Sequence, residues 1–221
     1  MQALKDLNTI LDGKADLLVL NFSPSTEENS SVQGSSRHTL EVSSADAKTN
    51  FEEGFAYAKS YELQGDYLNI QVLCKDLNLS ASASMSLLGK KESLFYTSFF
   101  KDVDTKSVQS LISQCHTKMD LFEKLSLIAN PTFMFCAGFL LCASRRFNLV
   151  LSGGIEIMAI LLIANKIASR DAIHHDHRHL YWCTSENLIK QHEEAVDTLM
   201  SELDFRLKAY YVQEHKPEEL K

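Results

Sequence analysis

The chain has 221 residues, a formal net charge of -7 and 45% hydrophobic content, enough apolar material to fill the core of one domain. An acidic balance without a basic stripe excludes a nucleic-acid-binding surface. The five cysteines are odd in number and widely spaced, with no CxxC, which is the usage of buried thiols in a reducing compartment rather than of a disulfide framework.

The opening MQALKDLNTILDGKAD lacks the basic start and continuous apolar run of a signal peptide and reads as a weak helix, so a cytoplasmic protein is expected. Residues 15–22, ADLLVLNF, have the length and apolar run of a buried parallel strand. The polar SPSTEENSSVQGSSRHT that follows has little to bury, and a mobile loop is expected over residues 23–43. Phe51, Phe55, Ala58 and Leu63 then recur at roughly helical spacing up to Gly65. DYLNIQVL, from Asp66 to Leu73, reads as a second strand, Ser80 to Leu88 as a short helix closed by Gly89, and SLFYTS, from Ser93 to Ser98, as a third strand. Two helices follow, one capped by Asp104 and running to Lys118, the other from Asp120 to Ile128.

The run from Asn130 to Arg170 is the most informative. Asn130 can cap a helix that has Pro131 at its first position and Arg145 and Arg146 at its negative end. Phe147 to Leu151 is an apolar run of strand length, and Gly153-Gly154 turns it into a second apolar helix, Ile155 to Ser169. Helix, strand, glycine turn and helix in one line are the signature of a parallel α/β unit. The two apolar helices fall short of the ~18 residues that span a bilayer, so they belong to a core and no membrane partner is expected. Free N–H groups at such a turn permit a phosphate site. Glu156, in the first turn beyond it, complements the helix dipole, would repel a phosphate and favours a neutral or sugar-facing contact.

Beyond this unit, Leu180 to Cys183 is a short strand, Thr184 or Ser185 caps a long helix to Leu203, and Phe205 to Val212 is a last strand before a frayed tail over residues 213–221. Six strands alternating with helices, without internal repeat, predict a single α/β domain over residues 1–221, a three-layer α/β/α arrangement with a mainly parallel sheet.

On these residues, ANPTFMFCAGFLLCASRRFNLVLSGGIEIMAILLIANKIA resembles a segment of the nicotinate-nucleotide-dimethylbenzimidazole phosphoribosyltransferase family. There an Asn/Asp-Pro opens a helix containing Ala-Gly and ending in Ser-Arg, and a strand then meets a Gly-Gly turn and an apolar helix, as Ala137-Gly138, Ser144-Arg145 and Gly153-Gly154 do here. ADLLVLNFSPSTEENSSVQG and HLYWCTSENL are similar to the family more weakly. The resemblance implies phosphoribosyl transfer from nicotinate mononucleotide to a benzimidazole-like base in a homodimer, with no cofactor. In that chemistry a base removes the acceptor N–H proton while amides and hydroxyls hold the phosphate.

Carried onto this chain, the resemblance implies a ligand site built from Ser80, Ser82 and Ser84 after the second strand, and from Ser152, Gly153, Gly154 and Glu156 after the Phe147–Leu151 strand. Two departures bear on activity. Asn78-Leu79-Ser80-Ala81-Ser82-Ala83-Ser84 lacks the glycines of the family's phosphate loop, and nothing near KPEELK, Glu214, Glu218 and Glu219 included, matches the family's C-terminal catalytic segment. They imply weakened or lost transferase activity with nucleotide or base binding, and leave the catalytic residues unassigned.

Two alternatives stand beside this reading. One is a non-catalytic homodimeric interaction scaffold. The other is a metal-binding protein using His174, His175, His177 and His179, ligand types suited to Zn, Ni or Cu. With no Ser/His/Asp elbow, P-loop or GxGxxG, the hydrolase, kinase and dehydrogenase readings have no support in the sequence.

Overall fold

Helix starts are set by side chains that accept from otherwise unpaired N–H groups. Asp46 caps α1 (Ala47–Ser60) by accepting from the Thr49 N–H at 2.7 Å. Between the second strand and α3 (Thr105–Cys115), which Asp104 opens, lies α2 (Leu77–Leu88). Asp120 caps α4 (Leu121–Ile128) and Asn130 caps α5 (Pro131–Ala143). After α6 (Glu156–Asp171), Ser185 caps α7 (Glu186–Glu202). The computed structural model describes residues 15–22, 37–41, 46–74, 77–89, 100 and 102–212.

The strands are β1 (Ala15–Phe22), β2 (Arg37–Glu41), β3 (Tyr67–Cys74), β4 (Asn148–Ser152), β5 (Leu180–Ser185) and β6 (Lys208–Val212). They form one sheet of 6 strands in the order β2-β1-β3-β4-β5-β6, and every neighbouring pair is parallel. The expected α/β class with a parallel sheet and helical flank is therefore what the chain adopts.

Particular elements differ from expectation. Arg37–Glu41, assigned from sequence to the loop over 23–43, is instead a strand paired with β1 from Leu17↔Arg37 to Asn21↔Glu41. The expected strand Ser93–Ser98, the N-terminal helix, the remainder of the loop at 23–36 and 42–43, and the tail at 213–221 lie outside the described residues. α1 stops short of Gly65 because Tyr61 is already extended, with φ -68° and ψ 131°.

From β3 to β6 the chain steps across the sheet in one direction, so right-handed crossovers stack their helices on one face. That face supplies Leu18, Leu68, Ile70, Val72, Leu149, Leu151, Leu180 and Trp182 to a single core shared with α1, α2, α4, α5, α6 and α7. α5 is buried on every side from Thr132 to Ala143, the pattern of a helix sunk within a core rather than laid on one. α1 and α5 form the most extensive helix pair, and their backbones nearly touch: Gly54 faces the Phe135 carbonyl and Gly138 the Phe51 carbonyl.

The opposite sheet face carries a smaller cluster of Val150 and Cys183 with Tyr67 and Tyr181, whose rings lie 6.4 Å apart. Among the described residues no helix joins that cluster, so the third layer is not found among them. No helix of the described residues is long and apolar enough to cross a membrane.

Candidate functional site

Open parallel sheets bind ligands beyond the C-terminal ends of their strands, near the point where strand order reverses. Here β1 steps outward to β2, and β3 returns on the other side of β1, so the reversal lies between β1 and β3. The segments following β3 and β4 border that end of the sheet, and both carry candidate residues.

The turn after β4 is tied down at Ser152, Gly153 and Gly154. The Ser152 hydroxyl donates to Asn69 Oδ1 at 2.7 Å, and Asn69 is buried in β3. The Gly153 N–H donates to the Cys183 carbonyl at 3.1 Å, and Trp182 Nε1–H donates to the Gly153 carbonyl at 3.3 Å. The Gly154 N–H donates to Glu156 Oε1 at 2.8 Å. Glu156 thus reaches back from the first turn of α6 and lies over both glycines. A methyl added at Gly153 would stand 2.9 Å from Glu156 Oε1, and one at Gly154 2.6 Å from Oε2. Neither glycine adopts a left-handed backbone, so what they provide is room for the carboxylate.

The serines of α2 behave differently. Ser80 joins two elements: its hydroxyl donates to the Ile128 carbonyl at 2.7 Å and accepts from the Asn130 N–H at 2.6 Å, tying α2 to the α4–α5 junction. Ser82 and Ser84 are fully buried, and neither hydroxyl has a hydrogen-bond partner. Their small size fits α2 against α6, its most extensive neighbour, while Ala83 packs with Val108, Cys115 and Ile128. The structure therefore brings Ser152, Gly153, Gly154 and Glu156 together in one turn and sets the Ser82 and Ser84 hydroxyls inside the helical layer.

A buried hydroxyl without a partner carries an uncompensated desolvation cost. Ser82→Ala and Ser84→Ala are each expected to leave the protein as stable or to stabilise it by about 1 kcal/mol, raising Tm by roughly 2–4 °C. Thermal melts check this, and a drop in Tm would show that the hydroxyls serve a bonding role.

The histidine segment does not converge. The His174 carbonyl accepts from Arg145 Nε at 2.6 Å. His177 stacks on Phe205 with centroids 5.4 Å apart, and His175 meets the same ring edge-on at 5.5 Å. Burial pushes the His175 pKa below its ordinary value, against a hydrogen bond with the Ile173 backbone that raises it and together with the nearby Arg145 charge, which lowers it. His179 Nδ1 lies 2.7 Å from Asn148 Oδ1. Asp176 is held at both oxygens by the Arg178 guanidinium, whose hydrogen bonds keep its carboxyl well below the usual carboxylate range. Among the described residues no group of three or more His, Cys, Asp or Glu is placed to hold a metal ion. Of the four histidines proposed as ligands, His174, His175, His177 and His179, the His175 and His177 rings pack on Phe205 and the His179 ring faces Asn148, so they are not gathered around a common point.

Burial also leaves the Cys115, Cys136 and Cys183 thiols unactivated, since it raises the pKa of each. Burial pushes Cys183 up to about 11 and raises Cys136 further. Two residues that position the turn escaped sequence reasoning, Asn69 and Trp182. The polar alternation of Asn69 and Gln71 inside an apolar strand is the signal that marks the first.

No protein-family model and no curated protein matches the chain. Among solved structures, it is similar to the crystal structure of CobT from Thermus thermophilus, with a TM-score of 0.57 and 16% identity over 96% of this chain and 64% of that one. The crystal structure of nicotinate-nucleotide-dimethylbenzimidazole phosphoribosyltransferase from the same organism matches with a TM-score of 0.53 and 14% identity over 96% of this chain and 63% of that one. At such identities the likeness establishes the fold. The chain spans just under two thirds of the length of either protein.

Proposed function

We propose that this protein is a divergent relative of the nicotinate-nucleotide-dimethylbenzimidazole phosphoribosyltransferases that binds a nucleotide or base ligand and has weakened or lost transferase activity. The observation that carries the reading is the placement of Ser152, Gly153, Gly154 and Glu156 in one turn at the C-terminal end of β4, within a fold shared with those enzymes over almost the whole chain. Ligand contacts come from that turn, and Ser80, Ser82 and Ser84 set the position of the helix beside it.

Phosphoribosyl transfer requires the donor phosphate to be held while the acceptor nitrogen is oriented at the ribose carbon. The expected phosphate loop is replaced here by α2, whose Ser82 and Ser84 hydroxyls are buried, so the groups that would hold the transition state are reduced. We place the protein in the cytoplasm as a homodimer. The free, buried thiols of Cys115, Cys136, Cys142 and Cys183 accord with a reducing compartment.

Calorimetric titration with nicotinate mononucleotide and, separately, with benzimidazole tests the proposal, alongside an assay for α-ribazole phosphate. Binding of at least one ligand, lost in Gly153→Asp, with little or no product is the expected result. Turnover typical of an enzyme would overturn the loss of activity. Binding of neither ligand would overturn the ligand site and favour the interaction-scaffold alternative.

A further inference from the structure

A glycine pair leading from a strand into a helix is where a phosphate would be expected to rest, on free amides at the positive end of the helix dipole. In this chain that position is filled from within. The Gly153 amide is engaged by the Cys183 carbonyl, the Gly154 amide by Glu156 Oε1, and the Ser152 hydroxyl by Asn69. The space beside both glycines holds the Glu156 carboxylate, within 2.9 Å of where a Gly153 side chain would begin. The glycine pair is thus explained without an external anion. α6 has no side-chain cap at Ile155, so the carboxylate is also the acidic group that meets its N-terminal dipole.

We propose that Glu156 is a specificity-determining residue that closes this turn to anions, so that a ligand presents to it an uncharged hydrogen-bond donor, such as a heterocyclic ring N–H or a sugar hydroxyl. The inference rests on the reading above that a ligand binds beside the turn. It narrows that reading: a phosphate brought to the turn would lose the amides already engaged and would meet a like charge at contact distance. An uncharged ring or hydroxyl meets an acceptor instead. It also gives a physical reason for lost transfer, since a phosphoribosyl donor would be refused at its phosphate while a base would still be admitted.

The test compares the natural protein with Glu156→Gln and Glu156→Ala by thermal melts in inorganic phosphate against chloride at matched ionic strength. The natural protein is expected to show no phosphate-specific rise in Tm, while Glu156→Ala gains one and binds phosphate at least about tenfold more tightly. Glu156→Gln removes the charge and keeps the volume, so a partial gain there separates repulsion from simple filling of space, and it serves if the alanine variant folds poorly. An equal phosphate response in all three proteins, or none in either variant, overturns the proposal. Titrations of the same proteins with nicotinate mononucleotide and benzimidazole keep the two readings apart. Equal, tight binding of the mononucleotide with and without Glu156 would sustain the ligand site and defeat the anion gate. Phosphate gained by the variants with neither ligand bound by any protein would sustain the gate and defeat the proposed ligand.

Discussion

Gly138→Ala is expected to destabilise the protein by about 3 kcal/mol or more, lowering Tm by roughly 6–12 °C, because the added methyl meets backbone rather than a side chain that can rotate away. It would lie on the Phe51 carbonyl oxygen and 2.9 Å from the Phe51 carbonyl carbon, and the helix pair would have to separate to admit it. Separation would open the region where Phe51, Phe122 and Phe135 pack in the main core. Gly54→Ala meets the Phe135 carbonyl in the same way and is expected to behave alike. Glu53→Ala, exposed on the same helix, should leave stability unchanged. Trp182 is the single tryptophan of the chain and is fully buried, so its fluorescence follows unfolding in urea without a label. A Gly138→Ala protein within about 1 kcal/mol of the natural one would show that α1 and α5 do not pack this closely. The result also bears on the family likeness: Ala137-Gly138, one of its motifs, serves helix packing here.

Trp182→Ala is the second large effect, expected at about 3–5 kcal/mol for an aromatic side chain removed from a filled core. Trp182 belongs to the main core and also holds the turn, through its Nε1–H on the Gly153 carbonyl. Trp182→Phe separates these roles by keeping most of the packing and removing the donor. A loss of about 1 kcal/mol for the missing bond is expected, with a larger proportional effect on any ligand affinity that depends on the turn. Denaturant melts followed by circular dichroism, with titrations on the folded variants, check both. If Trp182→Phe left stability and affinity unaltered, the indole bond would have no part in positioning the turn.

Much of this was legible before any coordinates. Asp104, Asp120, Asn130 and Ser185 mark helix starts because a short oxygen-bearing side chain before a periodic run has one favoured use, and the structure places each at such a start. Buried parallel strands such as β1 and β3 announce themselves by apolar runs. β2 does not, since RHTLE has charged ends and lies among polar residues, and its existence depends on β1 offering an edge. The Gly153-Gly154 turn was visible in one dimension. Glu156 folding back over it was not, because the direction of a side chain depends on rotamer and neighbours rather than spacing. The setting of the α2 serines was not legible for the related reason that small polar residues suit both a ligand loop and a tight helix contact. The histidines show the converse: ligand types crowded in sequence gave no convergence in space.

Because every neighbouring pair in the sheet is parallel, the described sheet contains no hairpin and none of its β pairing is local. The sheet's central junction sets Tyr67 beside Asn148, with α2, α3, α4 and α5 all lying between those residues along the chain. Closing a loop of that length costs entropy before any strand contact repays it, which places this chain among slow folders on the millisecond-to-second scale. During synthesis β1 and β3 must wait, apolar and without β4, until the ribosome has released Ser152. The α1–α5 pairing offers no earlier shelter, since α5 ends just before β4, so the helical layer and the sheet of this chain both close late.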